Sequence, residues 1–195
     1  MVTTLEGVLL DWHGVLDRRR FLDIVLALSR MKSMPPDQIK EQLQQDKKAY
    51  ATGALQPEQF WKKLQQTYAL TNGALEELQQ HFLKVEKNEE LWNILPYLQE
   101  RYKLAILSDC STDKAAIIRA TVDLSSFKGA YFSCEARLSK ADPAFFHMGL
   151  AGLGVQAHHC LFVDDTKQNI LYAQNVGLQT HLFRNAGELE RLLVQ

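Results

Sequence analysis

Five brief apolar runs punctuate the chain, at residues 5–11, 103–109, 129–134, 160–165 and 179–183, with little polar alternation inside them. Runs of that length fit strands covered on both faces, as in a parallel sheet. Between the last four the pattern changes to a helical period. Ser111 and Thr112 are N-cap candidates for a helix carrying Ile117, Ile118 and Val122. Pro143 suits the first turn of a helix starting after Asp142, with Phe145, Phe146 and Leu150 along it. A further helix over 168–176 stops at Gly177. Asn185 and Glu188 have capping-box spacing for a final helix over 186–193. Strand alternating with helix predicts an α/β fold: a Rossmann-like parallel sheet of about five strands with helices on both faces.

Residues 18–87 follow a different rule. Apolar side chains recur at helical spacing through Phe21, Val25, Leu28, then Ile39, Leu43, then Phe60, Trp61, Leu64, Tyr68, then Leu75, Leu78, Phe82, Val85. "SMPPD", "TGALQP" and "TNG" interrupt them as turn or cap signals. The stretch reads as a helical cap inserted after the first strand, so that 1–17 and 88–195 form the core. A helix over 89–100, broken or bent near Pro96, leads back into it.

Ligands of open parallel sheets bind beyond the carboxyl ends of the strands. Asp11 ends the first run, Ser108-Asp109 the second and Asp164-Asp165 the fourth, while Lys140 follows the third. Clustered carboxylates repel one another, and a hard dication relieves that repulsion; Mg2+ prefers one or two carboxylates together with phosphate and water. Ser108 and Lys140 can hold the remaining phosphate oxygens. A carboxylate can then attack phosphorus, and water releases phosphate.

These segments resemble the motifs of the haloacid dehalogenase superfamily, within it the phosphatase-like branch with a helical cap after the first strand. "VLLDWHGVL" is similar to its first motif, Asp-x-Asp-Gly-Thr/Val-Leu, and "LAILSD" to its second. "LSKADPAFF" resembles the third, Lys-Pro-Asp-Pro, with Ala141 in place of the first proline; "LFVDDTKQN" matches the fourth, Asp-Asp-x-x-x-Asn. "YATGALQPEQFWKKL" looks like a cap segment common in that branch. The resemblance implies that Asp11 is nucleophile and metal ligand, with the His13 carbonyl and Asp164 as further ligands and Asp165 holding a metal-bound water or orienting its neighbours. It implies that Ser108 and Lys140 bind the phosphoryl group, with Asp109 beside them and Asn169 in support. Trp12 either points into the site region, against substrate, or packs against the cap.

The departure is at His13, where the family's phosphatases usually carry a second aspartate that protonates the leaving oxygen. An imidazole can perform acid–base work, or His13 supplies only its carbonyl. Three other functions compete: a metal-free 2-haloacid dehalogenase, a non-catalytic phosphate-binding homologue, and a phosphorylated receiver. The order of motifs argues against the receiver, because here the nucleophile leads and the acidic pair trails.

Composition narrows the remainder. The formal net charge of −1 carries no basic excess, which argues against nucleic acid as a partner. No apolar stretch is long enough to span a bilayer. Three scattered cysteines fit a reduced compartment, and the N-terminus lacks the pattern of a secretory signal. The expectation is a cytoplasmic monomer or small homo-oligomer acting on a small phosphorylated metabolite.

Overall fold

The computed structural model describes residues 4–194. In chain order these form β1 (Gly7–Leu10), α1 (Phe21–Lys32), α2 (Pro36–Ala51), α3 (Pro57–Thr67), α4 (Asn72–Leu83), α5 (Glu89–Arg101), β2 (Lys103–Ser108) and α6 (Thr112–Thr121). The chain continues through β3 (Ala130–Phe132), α7 (Ser133–Ala136), α8 (Pro143–Leu153), β4 (Cys160–Asp164), α9 (Lys167–Asn175), β5 (Gln179–Leu182) and α10 (Ala186–Val194). A 3-10 turn, Ala157–His159, leads into β4.

All five strands are parallel, in the order β3-β2-β1-β4-β5. Their lack of alternation has a direct cause, since both faces are buried. Val8, Leu10, Ile106 and Val163 point to one side and pack with Leu95 of α5, Ile118 of α6 and Leu189 of α10. Leu9, Ala105, Leu107 and Phe162 point to the other and meet Phe145, Phe146 and Leu150 of α8 and Ala173 of α9. Helices α1–α4 bury a third cluster among themselves, from Ile24 and Leu28 through Tyr50 and Phe60 to Leu78 and Phe82.

Register brings the chemistry to one rim. Leu10 pairs with both Ile106 and Val163, so Asp11 follows β1 level with the end of β4. The elements differ from the sequence expectation at their ends. The strands end one residue before Asp11, Asp109 and Asp165, although the Asp11 N–H still donates to the Val163 carbonyl at 3.0 Å. Ser133 and Cys134, expected in the third strand, start α7. The expected break at Pro96 does not occur. Pro96 is exposed on α5 while Leu91, Leu95 and Leu98 are buried, so packing offsets the one backbone bond that proline removes.

Candidate active site

The loop after β1 is tightly wound. Gly14 has φ +77°, its N–H donates to the Asp17 carbonyl at 2.7 Å, and the Asp17 N–H returns to the Trp12 carbonyl at 2.8 Å. A Cβ at Gly14 would collide with Asp165 Oδ2. Only glycine permits both the backbone turn and that approach. The turn sends Val15 and Leu16 back into the core and leaves Asp11 at the rim.

Asp11, Asp164 and Asp165 each offer a carboxylate oxygen, and these lie within 4.8 Å of one another. Lys140 joins two of them: its Nζ is 2.7 Å from Asp11 Oδ1 and 2.7 Å from Asp164 Oδ2. The Lys140 N–H donates to Asp109 Oδ1 at 3.1 Å, which fixes the loop before α8. Asp142 caps that helix by accepting from the Ala144 N–H at 2.9 Å. Asn169, in the first turn of α9, donates to both oxygens of Asp164 at 3.1 and 3.0 Å, and the Thr166 N–H donates to Asp164 Oδ1 at 2.8 Å. Asp11 Oδ1 also accepts from the Trp12 N–H at 2.7 Å.

Burial sets the electrostatics. It pushes the Asp11 carboxyl up, against the pull of Lys140, and raises Asp164 to about 6. Asp165 rises by burial and by repulsion from Asp164. Burial alone would lower Lys140, but Asp11, Asp164 and Asp109 together hold its ammonium above the usual lysine range. Two cations, Lys140 and the more distant Arg20, face three acids and leave an excess of negative charge. Ser108 Oγ, fully buried, makes no hydrogen bond of good geometry among the described residues, although it lies close enough to Asp11 to favour its carboxylate. An acid-rich cluster of hard oxygens suits a dication, and an orphaned hydroxyl beside a lysine suits an anion.

Trp12 departs from the reading that puts it against substrate. Its side chain is fully buried, with Nε1 donating to Asp17 Oδ2 at 3.1 Å and the ring edge-on to Trp92 at 6.3 Å. Asp109 Oδ1 is taken up by the Lys140 backbone N–H. His13 Nδ1 faces the Arg19 carbonyl at 3.3 Å, and its ring stacks on Phe82 at 5.9 Å and 15°. With the proton on Nδ1 donated to that carbonyl, Nε2 carries a lone pair. Burial and Lys114 push the imidazole down to about 4, with Asp17 opposing. A neutral ring in that tautomer has no proton for a leaving group.

Two ion pairs complete the surroundings of the site. Arg20 Nη1 reaches to 3.6 Å from Asp165 Oδ2. The larger one lies beneath the rim, where Lys114 and Asp17, both fully buried, pair at 2.8 Å. Asp17 Oδ1 accepts the Arg19 and Glu86 amides at 3.1 and 3.0 Å. Lys114 also donates to the carbonyls of Phe82 and Lys84 at 3.2 and 2.8 Å. One ion pair thus holds both crossings between the sheet and α1–α4. No local pattern announces it, since the partners come from distant parts of the chain.

A family model described as "Haloacid dehalogenase-like hydrolase" matches residues 20–183. The chain belongs to the haloacid dehalogenase-like hydrolases. Among curated relatives, flavin mononucleotide hydrolase 1 of Arabidopsis thaliana is 34% identical over 76 residues, a stretch covering 38% of this chain but only 31% of that protein. A haloacid dehalogenase family enzyme of Bacteroides thetaiotaomicron, solved with magnesium and inorganic phosphate, superposes with TM-score 0.75 at 18% identity over 96% of this chain and 98% of that one. An L-2-haloacid dehalogenase superposes with TM-score 0.71 at 17% identity, over 99% and 100% of the two chains. These likenesses establish the haloacid dehalogenase-like fold. No helix among the described residues is long and apolar enough to cross a membrane.

Proposed function

We propose that this haloacid dehalogenase-like hydrolase is a magnesium-dependent phosphatase of small phosphomonoesters, with α1–α4 serving as a lid over Asp11. The observation that carries the reading is the three-carboxylate cluster at the strand ends, bridged by Lys140. Oxygens of Asp11, Asp164 and Asp165 with the His13 carbonyl would hold the ion. Magnesium supplies the positive charge that lets a carboxylate approach a phosphoryl dianion.

The protein's own groups do the rest. Lys140 and Trp12 N–H tie down Asp11 Oδ1, which leaves Oδ2 as the oxygen that would attack phosphorus. The P–O bond to the leaving group breaks as the aspartyl-phosphate forms. Ser108 and Lys140 hold phosphoryl oxygens, and Asn169 holds Asp164 in place. Water then attacks phosphorus and returns Asp11 to its carboxylate.

Phosphate release should require Mg2+, stop on chelation and extend over a panel that includes flavin mononucleotide, sugar phosphates and an aryl phosphate. Because Asp164 must lose its proton to bind metal and titrates at about 6, the Mg2+ needed for half-maximal rate rises as pH falls below 6. A chain that turns over no phosphomonoester, or that dehalogenates a 2-haloacid in the presence of chelator, would sink the reading.

The state of His13 makes a second expectation. Without a proton to deliver, the enzyme favours leaving groups that depart as stable anions, so aryl phosphates outpace alkyl phosphates by roughly 10²-fold or more, the usual scale of acid catalysis. His13→Asp narrows that gap by raising the alkyl rate. Equal wild-type rates on both classes would contradict it.

A further inference from the structure

Between α1 and α2 runs a cleft of about 380 Å³, with Phe21, Leu22 and Val25 on one wall and Lys40, Gln44 and Lys47 on the other. The spacing of each trio places it along one stripe of its helix, so one wall is apolar and the other is cationic and amide-bearing. No carboxylate lines it. Of the three acids on α2, Asp37 pairs with Lys40, Asp46 pairs with Lys63 and Glu41 forms no ion pair among the described residues, so none is bridged to Lys47. The Lys47 ammonium stands instead over the half-buried Phe21 ring, 5.2 Å from its centroid.

Phe21 directly follows Arg20, whose guanidinium reaches Asp165 at the rim of the active site. The Phe21 ring meets Phe82 edge-on at 6.2 Å, and Phe82 stacks on His13, two residues from Asp11. On the other side, burial raises the Asp109 carboxyl while Lys140 and, more weakly, Lys47 oppose that rise, and Asp109 accepts from the Lys140 amide. The volume falls within the range of small-molecule sites.

We propose that this cleft receives the leaving group of the phosphomonoester, and that Phe21 and Lys47 select leaving groups with a flat apolar face bearing a carboxylate or carbonyl oxygen. This rests on the phosphatase reading above. A planar group covers the Phe21 ring and removes apolar surface from water, while its oxygen takes the Lys47 ammonium. Substrates lacking either feature forfeit part of the binding energy.

The test compares 4-carboxybenzyl phosphate, benzyl phosphate and ethyl phosphate with Mg2+ present, since the first two differ in the distal anion and the third is an alkyl ester with no flat face. In the wild type, kcat/KM for 4-carboxybenzyl phosphate exceeds that for benzyl phosphate. Lys47→Met lowers this ratio about tenfold, and Lys47→Arg retains it. Phe21→Leu lowers the ratio of benzyl to ethyl phosphate, about fivefold. Ratios unchanged by either substitution would overturn the cleft assignment while leaving the phosphatase reading intact. A wild type that hydrolyses none of the three and no member of the wider phosphomonoester panel would refute the reading beneath it, and the cleft with it.

Discussion

Asp11→Asn is expected to lower metal-dependent phosphate release by 10³-fold or more, on the order of what loss of a nucleophile costs. The amide keeps the shape of the carboxyl group but cannot attack phosphorus. Loss of function should come without loss of fold. Burial raises the Asp11 carboxyl, so its charged form opposes folding at neutral pH, and that penalty is relieved as pH falls through the raised folded value toward the ordinary one. A neutral side chain removes the penalty permanently, and Lys140 keeps Asp164 at 2.7 Å. The variant should therefore melt at or above the wild-type temperature in metal-free buffer, an instance of stability given up for activity. Rates and melting curves on the same preparation decide the matter. Activity within tenfold of wild type would assign the nucleophile elsewhere, and a large drop in melting temperature would attribute the loss to unfolding.

Lys114→Met is expected to have the largest effect on stability. It leaves the Asp17 carboxylate fully buried with only neutral donors, Trp12 Nε1 and the amides of Arg19 and Glu86, and it leaves the carbonyls of Phe82 and Lys84 without their shared donor. Breaking a buried pair on one side costs about 3–5 kcal/mol. For a chain of this size that is a fall in Tm on the order of 10 °C. The double variant Lys114→Met with Asp17→Asn should recover part of the loss. The carboxamide oxygen then present at position 17 can still accept both backbone amides, whereas Trp12 Nε1 would lose its acceptor. Denaturant titration of the three proteins checks the order. A single variant within about 1 kcal/mol of wild type, or a double no better than the single, would show that the pair contributes little.

The fold was legible because its signals are local. Val8-Leu9-Leu10 and Leu161-Phe162-Val163 reveal strands buried on both faces, and Pro143 and Gly177 mark helix ends without tertiary information. Strand carboxyl ends on a parallel sheet share one rim, so Asp11, Lys140, Asp164 and Asp165 could be grouped from order alone. Side-chain direction could not be read in the same way. Trp12 sits next to Asp11, but the turn at Gly14 and the acceptor on Asp17 draw its indole into the core. The state of His13 depends on Phe82, Arg19 and Lys114, none of them its neighbours in sequence. Pro96 misled for a related reason, since a proline's effect on a helix depends on which side of it faces water.

The two crossings between the sheet and α1–α4 are also bonded to each other. The Arg18 N–H donates to the Glu86 carbonyl at 2.8 Å and the Asn88 N–H to the Leu16 carbonyl at 3.0 Å. Chain segments laced side by side bend together but resist sliding past one another. Any swing of the four helices is thereby confined to flexing of a single double-stranded strap, and Phe82 and Phe21 would lift from the mouth of the site in one concerted movement rather than by turns.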